Sequence, residues 1–464
     1  MSRTGHCGDA GEHRGAVGGG SGVSGGYGGA ATNVDVAVIG AGPAGMAAAA
    51  RAAEAGRKVL LLDEAPNAGG QIWRHRSRAA TTATARRWLD RLSRTAADVR
   101  QGVAVVDVIA NGGDAGWTII AERHADGAVD VVRANAVVLA TGARERFLPF
   151  PGWTLPGVLG IGGAQALLKQ GTTFRGKRVV IAGTGPLMLP VAASLTEAGA
   201  RVELVAEQAR FSAVRDFGLS LLGTPDTLVQ AARYRLGFIR TPYATGTWVT
   251  AVTGTDRVTG VTVSDGRSTR AVACDVLCTG YGLVPNVEMA RLLGCSVSAV
   301  GVGVDAHQAT SVPGVFAAGE VTGIGGVDLA VVEGEIAGAA AAGVSRLDGE
   351  LVRRRTALRD VAARLERAFA VRPEIRALAT NDTIVCRCED VRRGSVAPLR
   401  DSRQAKLHTR AGMGACQGRV CGPALEFLFG WPAGTVRVPL EPARLSTLAV
   451  AASSGSTANP SSGS

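Results

Sequence analysis

Apolar residues along this chain fall into short runs that end in glycine, separated by longer stretches with helical spacing. Val34, Val36, Val38 and Ile39 form the first run, which ends in Gly40-Ala41-Gly42-Pro43-Ala44-Gly45. An alanine-rich stretch of helical pattern follows to Glu54 and stops at Gly56. A second run, Val59 to Leu62, ends in Asp63-Glu64. Such short, unbroken apolar runs read as buried parallel strands, with the alanine-rich stretch as their crossover helix. Strand, glycine turn, helix, strand, acid is the order of a dinucleotide fingerprint. Gly40 makes the tight turn, Gly42 lets backbone approach a pyrophosphate, and Gly45 lets helix and strand close on each other. The free N–H groups and positive dipole end of the helix suit phosphate oxygens. Glu64 stands where an acid accepts a hydrogen bond from a ribose hydroxyl.

The pattern occurs twice. Val179 to Ala182 runs into Gly183-Thr184-Gly185-Pro186-Leu187-Met188, a helix reaches about Ala198, and the strand from Arg201 to Ala206 precedes Glu207. Met188 takes the place of the third glycine, where a side chain crowds helix–strand packing or the ligand. Two readings stay open for this copy: a nicotinamide site, in which Glu207 favours the 2′-hydroxyl cofactor over the phosphorylated one, or a scaffold kept for architecture. Between the copies, Gly69-Gly70-Gln71-Ile72-Trp73 reads either as an ordinary loop or as a close approach to a flat ligand, with Gln71 at its polar edge. Trp88 to Leu92 reads as helix, and 103–109, 117–121, 129–133 and 137–140 as strands, the last ending in Thr141-Gly142. Beyond the second copy, 211–238 reads as a helical insertion and 248–253, 260–264, 271–275 and 276–279 as strands. A third glycine-ended run, Val312 to Gly319, is followed by Glu320, which can accept a bond from a ribityl hydroxyl. A helix from Glu333 to Ala342 and an arginine-rich helical connector from Leu351 to Leu378 complete this part.

Composition narrows the picture. The chain has 464 residues, 46% of them hydrophobic and only 4% aromatic, which suits close-packed α/β layers. Its net charge of +11 comes mainly from scattered arginine. Eight arginines and no lysine lie from Arg74 to Arg100, without interleaved aromatics or a nucleic-acid motif, so this stretch reads as a solvated face, or else as a surface for an acidic partner. No apolar stretch is long enough for a membrane span, and no signal h-region is evident. Both Gly/Ser-rich ends, 1–33 and 451–464, read as disordered tails.

The eight cysteines are too sparse for a secreted disulfide scaffold. Cys274 and Cys278 read as core. Cys386-Arg387-Cys388, then 27 residues, then Cys416 and Cys421, offer four thiolates amid Gly412, Gly414, Gly418 and Gly422. The set suits a [2Fe–2S] cluster, whose sulfurs the glycine N–H groups can bond. Structural zinc and a disulfide pair are the alternatives, and the one-residue gap is tight for zinc ribbons.

Several strings carry a family resemblance. Leu139 to Val158 (LATGARERFLPFPGWTLPGV), Gly162-Gly163-Ala164-Gln165, the second glycine turn and Gly412 to Cys421 (GMGACQGRVC) resemble the opine oxidase A-subunit family. Proline dehydrogenase alpha-type subunits, the FAD subunit of hydrogen cyanide synthase and sarcosine oxidase alpha subunits are similar. The resemblance covers about 34–450. It implies an α/β fold with two Rossmann-like domains in a thioredoxin-reductase-like arrangement, plus a small α-helical C-terminal iron–sulfur domain of bacterioferritin-associated-ferredoxin type. The expected limits are 34–155 with 286–345 for an FAD-binding domain, 156–285 for an NAD(P)-binding-like domain, 346–380 for the connector and 381–450 for the [2Fe–2S] domain. By position, Gly40, Gly42, Ala44, Gly45, Glu64, Gly70, Gln71, Thr141, Gly142, Gly319 and Glu320 would contact FAD, with Glu320 replacing the family's Asp. Cys386, Cys388, Cys416 and Cys421 would ligate the cluster.

The resemblance implies the electron-transferring subunit of a heteromeric amine or amino-acid dehydrogenase. Its partner would be a second flavoprotein resembling amino-acid oxidases. No residue stands out as a catalytic acid or base, and the expected location is cytoplasmic, peripheral to a membrane only through partners. A stand-alone NAD(P)H-dependent flavin reductase and a non-enzymatic scaffold with structural zinc are the competing functions.

Overall fold

The first apolar run is strand β1 (Thr32–Ile39), and the glycine turn leads straight into helix α1 (Pro43–Glu54), with Pro at its first position. Strand β2 (Val59–Asp63) lies parallel beside β1. The computed structural model describes residues 31–75, 81–112, 116–221, 225–432 and 434–455; the expected N-terminal tail lies outside these except for its last residues, of which Thr32 and Asn33 belong to β1. Helix α2 (Ala83–Ser93), strand β3 (Asp98–Gln101), β4 (Val103–Ala110), β5 (Trp117–Arg123) and β6 (Val129–Leu139) follow. The sheet runs β3-β2-β1-β6-β5-β4.

The pattern implied two strands over 129–140, and the structure has one. Strand β6 changes partner along its length. Its first half pairs antiparallel with β5, and its last three residues pair parallel with a later strand. Arg133 and Asn135, both exposed, interrupt the apolar run where β6 passes from one partner to the other, which is why the sequence reads as broken.

Short strand β7 (Ala143–Glu145) leads out of this domain. The second domain starts with β8 (Val158–Gly160) and α3 (Ile161–Lys169) and repeats the motif in β9 (Arg178–Gly183), α4 (Met188–Glu197) and β10 (Arg201–Glu207). The helical insertion is α5 (Phe211–Ser220) and α6 (Pro225–Gly237). Strands β11 (Tyr243–Thr245), β12 (Trp248–Thr253), β13 (Gly260–Ser264), β14 (Thr269–Ala273) and β15 (Val276–Gly280) follow. Its main sheet runs β11-β10-β9-β15-β8.

The chain returns through β16 (Leu283–Pro285), α7 (Glu288–Leu292) and β17 (Val315–Ala317), the strand that joins β6, to helix α8 (Gly326–Ala341). Connector helix α9 (Gly349–Ala368) then leads to the C-terminal unit. That unit holds a two-stranded ribbon, β18 (Ile384–Cys386) and β19 (Val391–Arg392), with helices α10 (Arg393–Val396), α11 (Ser402–Thr409) and α12 (Cys421–Phe429). The expected C-terminal tail does not begin at 451, and its residues beyond 455 lie outside those described. Helix α13 (Leu445–Gly455) carries the chain on, because Val450 and Ala451 bury against Ile120 of β5.

Strands β1 and β2 are buried on both faces, as a sheet between helical layers requires. Val36, Val38 and Leu61 face α1 and α8, while Ile39, Leu60 and Leu62 face the opposite core. Helices α1 and α8 pack backbone to backbone. A Cβ on Gly334 or Gly338 would overlap the Ala44 or Ala48 carbonyl oxygen.

Candidate functional site

At the first glycine turn, each glycine answers a different neighbour. Gly40 has φ +103°, and a Cβ there would overlap the Ala140 carbonyl oxygen; one on Gly45 would overlap the Gly40 carbonyl oxygen. Gly42 differs, since its Cβ would meet only Gly70 Cα, at 4.0 Å. The side of Gly42 that faces the helix N-terminus is open. The loop from Gly69 to Trp73 folds over this turn: the Gly69 N–H donates to Ala41 O at 2.8 Å, and Trp73 buries beneath. Gln71 lies exposed at its crest.

The acid that ties the turn is Asp63, which the sequence pattern does not single out. Its carboxylate accepts the Ala41 N–H and, at 2.7 Å, the Ala65 N–H. Glu64 points outward and is exposed. Its charge lies near Glu441, whose pKa is raised first by burial. An acid spaced two residues before Ala65 at a strand end is the signal that could have singled out Asp63.

Thr141-Gly142 and Gly319-Glu320 flank the same turn. Asn286 clasps Thr141: Thr141 Oγ1 donates to Asn286 O and Asn286 Nδ2 to Thr141 O, both at 2.8 Å. A Cβ on Gly142 would meet nothing within 4 Å. Gly319, at φ +79°, lies over α1, with its Cβ position 2.7 Å from Ala44 Cβ. Its N–H donates to the fully buried Glu333 at 3.0 Å, and Arg359 of α9 neutralises that carboxylate at 2.6 Å. The carboxylate of half-buried Glu320 has no hydrogen-bond or ion-pair partner among the described residues, and burial alone raises its pKa.

The second glycine turn is closed. Gly183, Thr184 and Gly185 are all buried, as are Glu207 and Gln208. Met188 sits wholly inside the core between α4 and the sheet. Its Cβ forbids the approach that Gly45 makes, and the helix begins only at Met188, whereas α1 begins at Pro43. Glu207 cannot reach a ribose, which corrects the expectation that it selects the 2′-hydroxyl cofactor. Its two oxygens accept the Gly185 and Ala209 N–H groups at 2.8 Å, and burial pushes its pKa up to about 7. The end of α9 covers the turn. Thr184 Oγ1 donates to Phe369 O at 2.9 Å, Gln208 Nε2 to Ala370 O at 3.0 Å, and the Arg372 N–H to Gln208 Oε1 at 3.0 Å.

The four late cysteines meet in pairs. Cys386 hydrogen-bonds Cys421, and Cys388 bonds Cys416. The Cys421 thiol first, then N–H groups of Gly412, Glu389 and Cys388, hold the Cys386 thiol down to about 6. All are free of disulfides, and among the described residues no three of His, Cys, Asp or Glu already close around one metal position. Gly414 is needed beside Cys388, since a Cβ there would overlap Cys388 Cβ.

Arg144 joins this loop to the first domain, and sequence reasoning missed it. Its guanidinium donates to Asn286 Oδ1 at 2.7 Å and Arg419 O at 3.0 Å and pairs with Glu288 at 2.8 Å. Arg419 in turn pairs with Glu441 at 2.8 Å. Glu145, beside it, accepts the Gly162 and Gly163 N–H groups at 2.7 and 3.0 Å. Two of the quoted strings are thus one contact.

The pyridine nucleotide-disulphide oxidoreductase model matches residues 34–342. Hydrogen cyanide synthase subunit HcnB of Pseudomonas aeruginosa is 33% identical, over 84% of this chain and 91% of its own length. The A-subunit of opine oxidase from Rhizobium meliloti (strain 1021) is 34% identical, over 89% of this chain and 98% of its own. The L-proline dehydrogenase structure from P. horikoshii shares the fold, with TM-score 0.64 at 20% identity, covering 90% of this chain and 79% of that one. Among the described residues no helix is long and apolar enough to cross a membrane. An open glycine turn flanked by Thr141-Gly142 and Gly319-Glu320, together with these matches, assigns the chain to the FAD-dependent pyridine nucleotide-disulphide oxidoreductase family.

Proposed function

We propose that this chain is the electron-transferring subunit of a heteromeric amine or amino-acid dehydrogenase or oxidase, acting on opine-, proline- or sarcosine-like CH–NH donors, with FAD at the first glycine turn and a [2Fe–2S] cluster on the late cysteines. The observation that carries the reading is the bonded path Thr141–Asn286–Arg144–Arg419, which ties the loop flanking the open turn to the loop between Cys416 and Cys421. Its partner is a second flavoprotein subunit resembling amino-acid oxidases, and the assembly is cytoplasmic.

The residues fit both groups. Gly40, Gly42, Gly70, Thr141 and Gly142 are half-buried around the turn, where a dinucleotide backbone would run, and Ala44, Gly45 and Gly319 pack beneath it. The Glu320 carboxylate, without a partner among the described residues, would accept from a ribityl hydroxyl, and Glu64 and Gln71 stand at the outer rim. Cys386 with Cys421 and Cys388 with Cys416 supply two thiol pairs. Two pairs suit a two-iron centre, which takes two thiolates on each iron, better than one zinc ion. When bound, FAD takes up two electrons and the cluster takes them singly. The chain's own work is to bind and hold: the α1 N-terminus meets phosphate, Asp63 keeps the turn in shape, and Arg144 keeps the cysteine loop against Thr141-Gly142.

The test is a visible spectrum with iron and sulfide assays on the purified chain, then co-purification of its partner. Cys416→Ser is expected to lower iron and sulfide while leaving flavin bound. A colourless chain, or a chain alone with full amine dehydrogenase activity, would overturn the reading.

A further inference from the structure

The closed second turn bears on the choice of electron donor. In a working dinucleotide site the pyrophosphate passes over the second glycine because that residue has no Cβ. At Gly185 Phe369 lies against that space: its Cβ and Cγ are in van der Waals contact with the place of a Cβ, both at 3.9 Å, and Gly185 is buried. The Phe369 ring packs edge-on against Phe217 of α5, with centroids 5.4 Å apart. Its backbone is held as firmly as its ring. Gln208, the residue after Glu207, spends its whole amide on Thr184, Ala370 and Arg372. The Arg372 guanidinium stacks 4.5 Å over Trp248. The first turn differs in exposure: Gly42 is half-buried with only the Gly70 backbone near it, whereas Gly183 to Gly185 are buried under a side chain.

We infer that Phe369, with the segment ending at Arg372, is the specificity-determining element that shuts NADH and NADPH out of the second dinucleotide fold. The fold keeps its strands and glycines, while its phosphate-facing surface is an internal contact between the end of α9 and β9, β10 and α5. A nicotinamide dinucleotide has to displace the Phe369 ring and break the Gln208 bonds before its pyrophosphate meets Gly185. When the open state is about 1% populated, nucleotide affinity is weakened about a hundredfold. This inference goes beyond the proposed electron route and does not depend on either cofactor.

The experiment is equilibrium binding of NADH to the full-length chain, read by calorimetry and nicotinamide fluorescence. The unaltered chain is expected to show no saturable binding in the micromolar range. Phe369→Ala removes the ring and leaves the backbone bonds to Thr184 and Gln208, and it is expected to raise NADH affinity by about tenfold or more. Gln208→Ala, which frees Ala370 and Arg372, is expected to shift affinity in the same direction and serves if the first variant does not fold. Micromolar NADH binding by the unaltered chain overturns the inference, as does a folded variant with no gain. Flavin content is measured alongside, so a failure here is distinguishable from a failure of FAD placement at the first turn.

Discussion

Gly42 and Gly45 belong to the same turn but do different things. Gly45 is required by the protein itself, because any side chain would run into the Gly40 carbonyl. Gly42 has room on its own, with only Gly70 Cα at 4.0 Å. Gly42→Val is therefore expected to fold with a melting temperature near that of the unaltered chain stripped of flavin and to purify without flavin, since the valine occupies the pyrophosphate path. A yellow, fully loaded Gly42→Val would contradict the placement. Glu207 makes a second residue-scale prediction. Burial raises its pKa from 4.5 to about 7, so between those values the folded chain holds a proton that the unfolded chain has released. Stability conferred by this group is full below pH 4.5 and is lost as pH rises through 7, by about 3 kcal/mol in all. Melting temperature against pH should fall more steeply over this window for the unaltered chain than for Glu207→Gln; parallel curves would show that Glu207 does not titrate there.

At the scale of elements, the two copies of the motif separate because of one position. Where Gly45 stands, α1 starts directly after the turn; where Met188 stands, α4 starts late and the turn is buried. The sequence made the missing glycine visible, and with it the doubt about nicotinamide. It could not show what covers the turn, since Phe369 is one aromatic at the end of a charged helix and no local pattern links it to Gly185. Asp63 is hidden for a similar reason: Asp63-Glu64 is two acids in a row, and only the fold shows which one turns inward. Strands with continuous apolar runs were legible nearly to the residue. The partner change in β6 was not, because periodicity reports burial and says nothing of which neighbour provides it. Helix α8 was legible as a helix, while its closeness to α1 rests on Gly334 and Gly338 in a stretch that reads simply as small and apolar. Gly338→Leu would force the two backbones apart and is expected to cost about 3 kcal/mol or more, read as a lowered denaturation midpoint with the slope unchanged.

Across the whole molecule, two devices join units that the motifs describe separately. Helix α9 braces both turns: Arg359 neutralises Glu333 beneath Gly319, and Phe369, ten residues or about 15 Å further along the chain, caps Gly185. The second device is the strap beyond α12. Leu440 packs into the first-domain core, its N–H donating to Val106 O at 3.0 Å, and α13 docks on β5, where Thr447 and Arg444 hold Glu122. The cysteine loop is thus held from both sides, by Arg419 with Glu441 on the strap and by Arg144 at Thr141-Gly142. Arg144 is the part of this arrangement whose loss separates attachment from folding. Its planar fork reaches Asn286, Glu288 and Arg419 O at once, which a lysine cannot do. Arg144→Ala removes charge-assisted bonds worth about 1.5–3 kcal/mol each when intact, yet it leaves the strap and the Trp153–Ile384 bond of 2.7 Å in place. The C-terminal unit should therefore stay docked while the loop between Cys416 and Cys421 loosens. Amide exchange over 417–421 is expected to accelerate in Arg144→Ala and, less so, in Arg144→Lys, with exchange in α13 unchanged. Equal acceleration in α13 would mean that Arg144 holds the whole C-terminal unit; no acceleration at 417–421 would mean that the strap alone positions the cysteines.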